Sequence, residues 1–212
     1  MTITASGQPL VRAFVQARMS SARFPGKVLA PFRGEPVIIH VVRAAAEVVG
    51  TDNVVVATSD DTSDDPLAAY LESRRIAVFR GPLLDVAERF RQCAAAYPCD
   101  WLLRLSADSP LLDPEVLRLV VAGVREGVDL VTTVAPRTFP AGQNAELLRV
   151  STFLGLDFAA LLPDEREHVT TFFYRHAGRF SIVNIESGDP GLAATSVAVD
   201  TIDDLRRLEG TV

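Results

Sequence analysis

The sequence predicts one α/β domain: a mixed, mostly parallel sheet with helices on both faces. Two observations carry that reading. Short β-branched apolar runs alternate with stretches of helical apolar spacing across the first 135 residues, and no internal repeat, linker or low-complexity tract divides the chain. With 212 residues, 48% of them hydrophobic, the chain can bury one sizeable core. Ligands of such sheets gather at the carboxyl ends of the strands, so the loops there are the first place to look for chemistry.

Each element has its own signal. LVRAFVQAR (10–18) is apolar and β-prone, and the loop after it runs into GEPVIIHVVRAAAEVV (34–49), whose apolar residues recur at helical spacing. NVVVATS (53–59) is a β-branched run bounded by Asn and by SDDTSDD, the form of a strand buried on both faces. Pro66 then opens the helix PLAAYLESRR from its first turn. IAVFRG (76–81) predicts a strand, LLDVAERFRQCAAAY (83–97) an amphipathic helix and DWLLRLSAD (100–108) a further strand. In DPEVLRLVVAGVREG (113–127) Asp113 caps, Pro114 takes the first helical position and Glu115 follows. VDLVTTV (128–134) closes the alternation.

Beyond residue 135 the pattern changes. APRTFPAGQNAELLRV (135–150) is rich in turn residues and predicts a hairpin or an edge strand. STFLGLDFAALL (151–162) and REHVTTFFYRH (166–176) predict helices, and FSIVNIES (180–187) a strand. SVAV (196–199) predicts a short strand ending on Asp200, before a helix capped by Thr201 or the acids after it.

Charge and cysteine content exclude several classes. A net charge of −6 and a pI near 5.1 give no general attraction to nucleic acid or anionic membrane, so neither is expected as a partner. Any bound anion must therefore meet a local cluster of positive charge. Cys93 and Cys99 lack the spacing and His neighbours of a zinc site and predict buried, idle thiols. The N-terminus lacks the features of a signal peptide and no apolar run is long enough to span a bilayer, which sets a cytoplasmic expectation.

The local cluster exists. Arg18, Arg23 and Lys27 follow the first strand, interleaved with Ser20, Ser21 and Gly26. Small residues let main-chain N–H groups and three cations face one polyanion, of which a triphosphate is the natural example. The same residues would serve as a solvated surface loop. Neither G-x-x-x-x-G-K-[ST] nor G-x-G-x-x-G is present, so the P-loop and dinucleotide fingerprints are unsupported. Asp108 and Asp200 each end a predicted strand, and two carboxylates at neighbouring strand ends can share one Mg²⁺ that takes its other oxygens from water and phosphate. Each Asp alone would also cap the helix after it. SDDTSDD (59–65) lacks the Gly and distal Glu of a calcium loop and reads as helix capping in a solvated turn.

Six stretches, VQARMSSARFPGKVL, VVVATSDDTSDDPL, VFRGPLLDVAERF, LLRLSADSPLLDPE, REHVT and VAVDTIDDLRRLE, make the chain resemble, from about residue 11 to 209, the spore coat polysaccharide biosynthesis protein F family. That family is similar to the CMP-Kdo and CMP-sialate synthetases. The resemblance implies a single-domain, Rossmann-like nucleotide-diphospho-sugar-transferase fold over residues 1–212. Its nucleotide-binding part would span about 10–135, and an acceptor and dimerisation extension about 136–195. It implies a Mg²⁺-dependent transfer of CMP from CTP to a sugar acid, sugar or phosphonate, with release of pyrophosphate, in surface polysaccharide or glycoconjugate synthesis. On the same basis Ala17, Arg18, Ser20, Ser21, Arg23 and Lys27 would hold the triphosphate. Thr58, Ser59, Arg80, Asp85, Arg89, Arg104 and Ser106 would line the nucleoside pocket, and Asp108 and Asp200 would bind Mg²⁺. Gly142, Glu146, Arg166, Glu167 and His168 would border the acceptor. Catalysis would fall to Arg18, Arg23, Lys27 and Asp108. A homodimer would form around Phe172, Phe173 and Tyr174, which otherwise read as a packing face.

The chain departs from the family pattern in places. Ala22 and Ala107 stand where relatives carry Thr and Gly, and Ala141 and Asn144 stand where F-P-D-G-L-D-V-E has carboxylates, while Gly142 and Glu146 are kept. Glu146 also reads as a solvated edge-strand residue, and His168 as either a base or a locally bonded residue at a helix start. Two other classes stay open: a nucleotide-sugar-dependent glycosyltransferase, although SADSP supplies one acid where a D-x-D pair is expected, and a noncatalytic nucleotide-binding protein.

Overall fold

A computed structural model describes residues 9–210. Its centre is a seven-stranded sheet. The strands are β1 (Val11–Gln16), β4 (Val54–Ser59), β5 (Ala77–Gly81), β6 (Trp101–Ser106), β7 (Leu130–Thr132), β8 (Glu146–Arg149) and β9 (Ile182–Asn184), with β2 (Pro31–Phe32) and β3 (Glu35–Pro36) forming a separate small hairpin. The order across the sheet is β5-β4-β1-β6-β8-β7-β9, and β8 alone runs antiparallel to its neighbours. The mostly parallel sheet predicted from the alternation is therefore present. The segment expected as a hairpin or edge strand instead supplies β8, an interior strand.

Period-two alternation makes the sheet two-faced. Ala13, Val15, Val54, Val56, Leu103 and Leu105 point to one face, under α1 (Val37–Val49), α2 (Asp65–Ser73) and α4 (Pro114–Ala122). Phe14, Val55, Ala57 and Leu102 point to the other, against Phe90 and Cys93 of α3 (Val86–Ala96), Phe153 of α5 (Val150–Leu154) and Phe173 of α7 (Thr171–Arg175). Each fully buried Leu, Val or Phe contributes about 1.5–3 kcal/mol, so these two layers dominate the stability. Cys93 and Cys99 are buried free thiols, as their sequence context suggested.

Helix starts follow the predicted chemistry. Asp113 accepts from the Glu115 N–H, and Thr201 and Asp204 form a reciprocal capping box on α8 (Ile202–Glu209); Asp85, expected in the nucleoside pocket, also caps, accepting from the Glu88 N–H.

Three further predicted elements differ. The helix expected over 151–162 ends with α5, where Gly155 follows, and resumes as one 3₁₀ turn at Phe158–Ala160. The helix expected over 166–176 divides into α6 (Pro163–Glu167) and α7, because the chain between them passes through Val169 at φ +37°. SVAV forms no strand. It crosses the carboxyl edge of the sheet, with the Val197 N–H on Ala141 O at 2.7 Å and the Val199 N–H on Asp108 O at 2.8 Å. Val199 packs with Phe32, Val37, Leu205 and Leu208, and that small third core draws Asp200 to the site.

Candidate active site

Strand register creates the site. Gln16, the last residue of β1, lies opposite Ala57 of β4 and Ser106 of β6, so the loops that leave these strands open on one edge. A cleft of about 390 Å³ lies there, lined by Gln16, Ala17, Arg18, Ser21, Ala22, Arg23, Lys27, Val28, Ser106, Ala107, Asp108, His168 and Asp200.

Lys27 is its centre. The Nζ donates to Asp108 Oδ2 at 2.8 Å, to Val199 O at 2.9 Å and to Asp200 Oδ1 at 3.1 Å, which uses all three N–H bonds of the ammonium. The Arg23 guanidinium reaches the same Asp200 Oδ1 at 2.9 Å. Arg18 lies 3.7 Å from Glu167 across the cleft. The two distant acids and the cationic loop therefore converge, although neither Asp108 nor Asp200 follows a strand without a break.

Loop geometry explains the sequence that makes it. Met19 O accepts from the Ser21 N–H at 2.9 Å and the Gly26 N–H at 2.8 Å, folding the segment into a closed ring. Gly26 sits at φ +76°, a left-handed conformation that a side chain would strain, and so starts the single turn that carries Lys27.

A second chamber of about 250 Å³ adjoins the first through Ser106 and His168 and is lined also by Arg104, Val134, Arg137, Asn144, Glu146, Thr170 and Thr171. Its one carboxylate is fully engaged. Glu146 is paired with Arg104, and its other oxygen accepts from Tyr174 Oη at 2.5 Å. Arg104 reaches Gln16 Oε1 at 3.0 Å and Tyr174 Oη meets Thr132 Oγ1 at 2.7 Å. Burial, and then the charge on Glu146, push the Tyr174 phenol above its ordinary range. Glu146 is 4% exposed, so the solvated edge-strand reading is corrected: it is the anion of a buried network.

Other anticipated site residues lie elsewhere. Thr58 and Ser59 are fully buried and bond to Asp64 beneath the cleft. Arg80 donates to Ser59 O and Asp61 O and pairs with Asp65. Arg89 is fully buried against Pro82 O and does not line the cleft. Asp85 caps α3 and pairs with Arg166, whose guanidinium also holds Phe158 O. Ser20 is exposed outside the lining. Gly142 has φ +97°, and a Cβ there would come within 2.7 Å of Ala198 N, so it serves close backbone approach. Phe172 and Phe173 pack on Phe180 within the chain. Gln16, Asp64 and Tyr174 were not anticipated. A polar residue ending an apolar strand was the available signal for Gln16; Tyr174 carried none.

Among the described residues, no cluster of three His, Cys, Asp or Glu side chains forms a ready metal cage, and no helix is long and apolar enough to cross a membrane.

A mostly parallel sheet with cations and paired acids at its carboxyl edge defines a nucleotide-handling α/β protein. The cytidylyltransferase family profile matches residues 13–201, so the chain belongs to the cytidylyltransferase family. It is 30% identical over 202 residues to the spore coat polysaccharide biosynthesis protein SpsF of Bacillus subtilis, covering 92% of this chain and 83% of that one. It is 32% identical over 145 residues to a 3-deoxy-manno-octulosonate cytidylyltransferase of Anaeromyxobacter, covering 67% of this chain and 58% of the relative. A solved cytidylyltransferase from Leptospira borgpetersenii superposes with a TM-score of 0.89 at 28% identity, covering 95% of this chain and 86% of the other. The nucleotidyltransferase fold and cytidylyl transfer follow from these matches.

Proposed function

We propose that the acceptor of CMP is an anionic sugar or phosphonate, and that the reaction depends on Mg²⁺ and serves surface polysaccharide synthesis in the cytoplasm. The observation that carries this is the pairing of two chambers. The larger has Arg18, Arg23 and Lys27 suited to a triphosphate. The smaller presents the exposed Arg137 and His168, and its single carboxylate is already spent on Arg104 and Tyr174. The Bacillus and Anaeromyxobacter relatives bear names of polysaccharide synthesis and of a sugar-acid cytidylyltransferase, which agrees with that reading.

Asp108 and Asp200 already share one cation, the Lys27 ammonium, so their donor set suits Mg²⁺ completed by waters and phosphate oxygens. When bound, Mg²⁺ supplies charge neutralisation and orientation of phosphate oxygens. The chain's own residues do the rest. Arg18 and Arg23 stabilise charge growing on the departing pyrophosphate, and Lys27 joins them once phosphate oxygens replace its carboxylate partners. The acceptor oxygen, directed from the smaller chamber past Ser106 and His168, attacks the α-phosphorus in line with that leaving group.

Pyrophosphate release from CTP, with and without Mg²⁺ and across sugar acids, phosphonates and neutral sugars, tests the reading. Release that requires Mg²⁺ and an anionic acceptor is expected. Turnover of neutral sugars alone would refute the acceptor class, CTP binding without turnover would favour a noncatalytic protein, and consumption of a nucleotide sugar would favour glycosyl transfer.

A further inference from the structure

Asp64 is a fully buried carboxylate at the start of α2, yet its side chain caps no helix. Asp61 does the local capping, accepting from the Ser63 N–H at 2.8 Å. Asp64 turns inward instead. Its Oδ1 accepts from the Met19 N–H at 2.6 Å, and its Oδ2 accepts from Thr58 Oγ1 and the Ser59 N–H, each at 3.0 Å, and from Ser59 Oγ. One buried anion thus joins the cationic loop to the end of β4. A buried carboxylate survives only when its lone pairs are met, and here donors from two separate elements meet them.

We infer that Asp64 is the positioning residue of the phosphate loop: by holding the Met19 N–H it fixes where Arg18 and Lys27 stand. The chain of contacts is short. Met19 N–H is fixed by Asp64, Met19 O fixes the Ser21 and Gly26 N–H groups, and Gly26 starts the turn that bears Lys27. Arg89 supplies nearby positive charge without a hydrogen bond to the loop. Burial lowers its guanidinium to about 10, and the charge of Asp64 is the strongest influence opposing that. The inference rests on the assignment of this loop to the triphosphate of CTP.

Asp64→Asn tests it. The amide has one acceptor oxygen for two fixed donors, the Met19 and Ser59 N–H groups, and Asp64→Ala, which offers none, removes the tether to Met19 outright. Residue-resolved amide hydrogen exchange should show the Met19, Ser21 and Gly26 N–H groups exchanging about tenfold faster, with Leu103 and Leu147 unchanged, and calorimetry should show CTP–Mg²⁺ binding weakened about tenfold. Wild-type exchange rates at Met19 and Gly26, or uniform acceleration of every amide, would overturn the inference. Should the variant not fold, the wild-type chain still decides: a Met19 amide exchanging as fast as that of exposed Arg23 would also overturn it. Failure of the wild-type chain to bind CTP would sink the nucleotide assignment, while the exchange data would still judge the tether.

Discussion

The two walls of the cleft hold their charges in opposite ways. On the nucleotide side Lys27 lies between Asp108 and Asp200, whose side chains are 26% and 42% exposed, so water and phosphate can compete for both carboxylates. On the acceptor side the side chains of Arg104 and Glu146 are 15% and 5% exposed, and Tyr174 and Gln16 close the set. The first arrangement is exchangeable and suits a site that must accept a polyanion. The second is built on a buried carboxylate, and removing one member strands a charge, which marks it as framework. Proximity to the cleft does not separate reacting residues from supporting ones, and neither does exposure of the cation, since the Lys27 side chain is 12% exposed and that of Arg104 15%; exposure of the carboxylate partners does.

The contrast is tested most severely by Glu146→Ala. It leaves the partly buried Arg104 without its anion and should cost about 3 kcal/mol in urea unfolding. Lys27→Ala should do the reverse. Its fold, followed by circular dichroism, should persist because solvent reaches both carboxylates, whereas kcat/KM should fall by about 3 kcal/mol of transition-state stabilisation. A Lys27→Ala protein that unfolds while keeping full activity per folded molecule would erase the distinction. Tyr174→Phe removes the hydrogen bond to the buried Glu146 carboxylate and the one with Thr132 Oγ1, and should cost about 2 kcal/mol, read from the same unfolding curves.

The smallest effect concerns pH. Burial raises the Cys93 thiol and pushes Cys99 up to about 12. Unfolded thiols ionise near about 8.5, so above that pH the unfolded state holds fewer protons than the folded one, and stability falls with rising pH until about 12 for Cys99. Between about pH 8 and about pH 9 the loss should be roughly 0.7 kcal/mol per thiol, and Cys99→Ala should remove its share from the slope of Tm against pH.

Much of this was legible in the chain. The apolar runs at Val11–Gln16, Val54–Ser59 and Trp101–Ser106 needed no context to be read as parallel strands, because strands buried on both faces are continuous in hydrophobicity. The segments after residue 135 were harder. Glu146 lies in a four-residue strand with a charge at its head, and what makes it a central strand is its pairing with β6 and β7, far away in sequence. REHVTTFFYRH has continuous helical spacing, yet the turn at Val169 splits it, and no residue there announces a positive φ. Asp64 was hidden among the acids of SDDTSDD, where composition suggests solvent and folding supplies burial.

The sequence by itself determined the alternation of strands and helices, the cation-rich loop after the first strand and the acids that would accompany it, since periodicity and local chemistry act over a few residues. Only the tertiary structure decided which carboxylates meet Lys27, which acid is buried to anchor Met19 and which ion pair is framework. Those outcomes depend on strand register and on solvent exclusion, and both arise only when residues distant in the chain pack together.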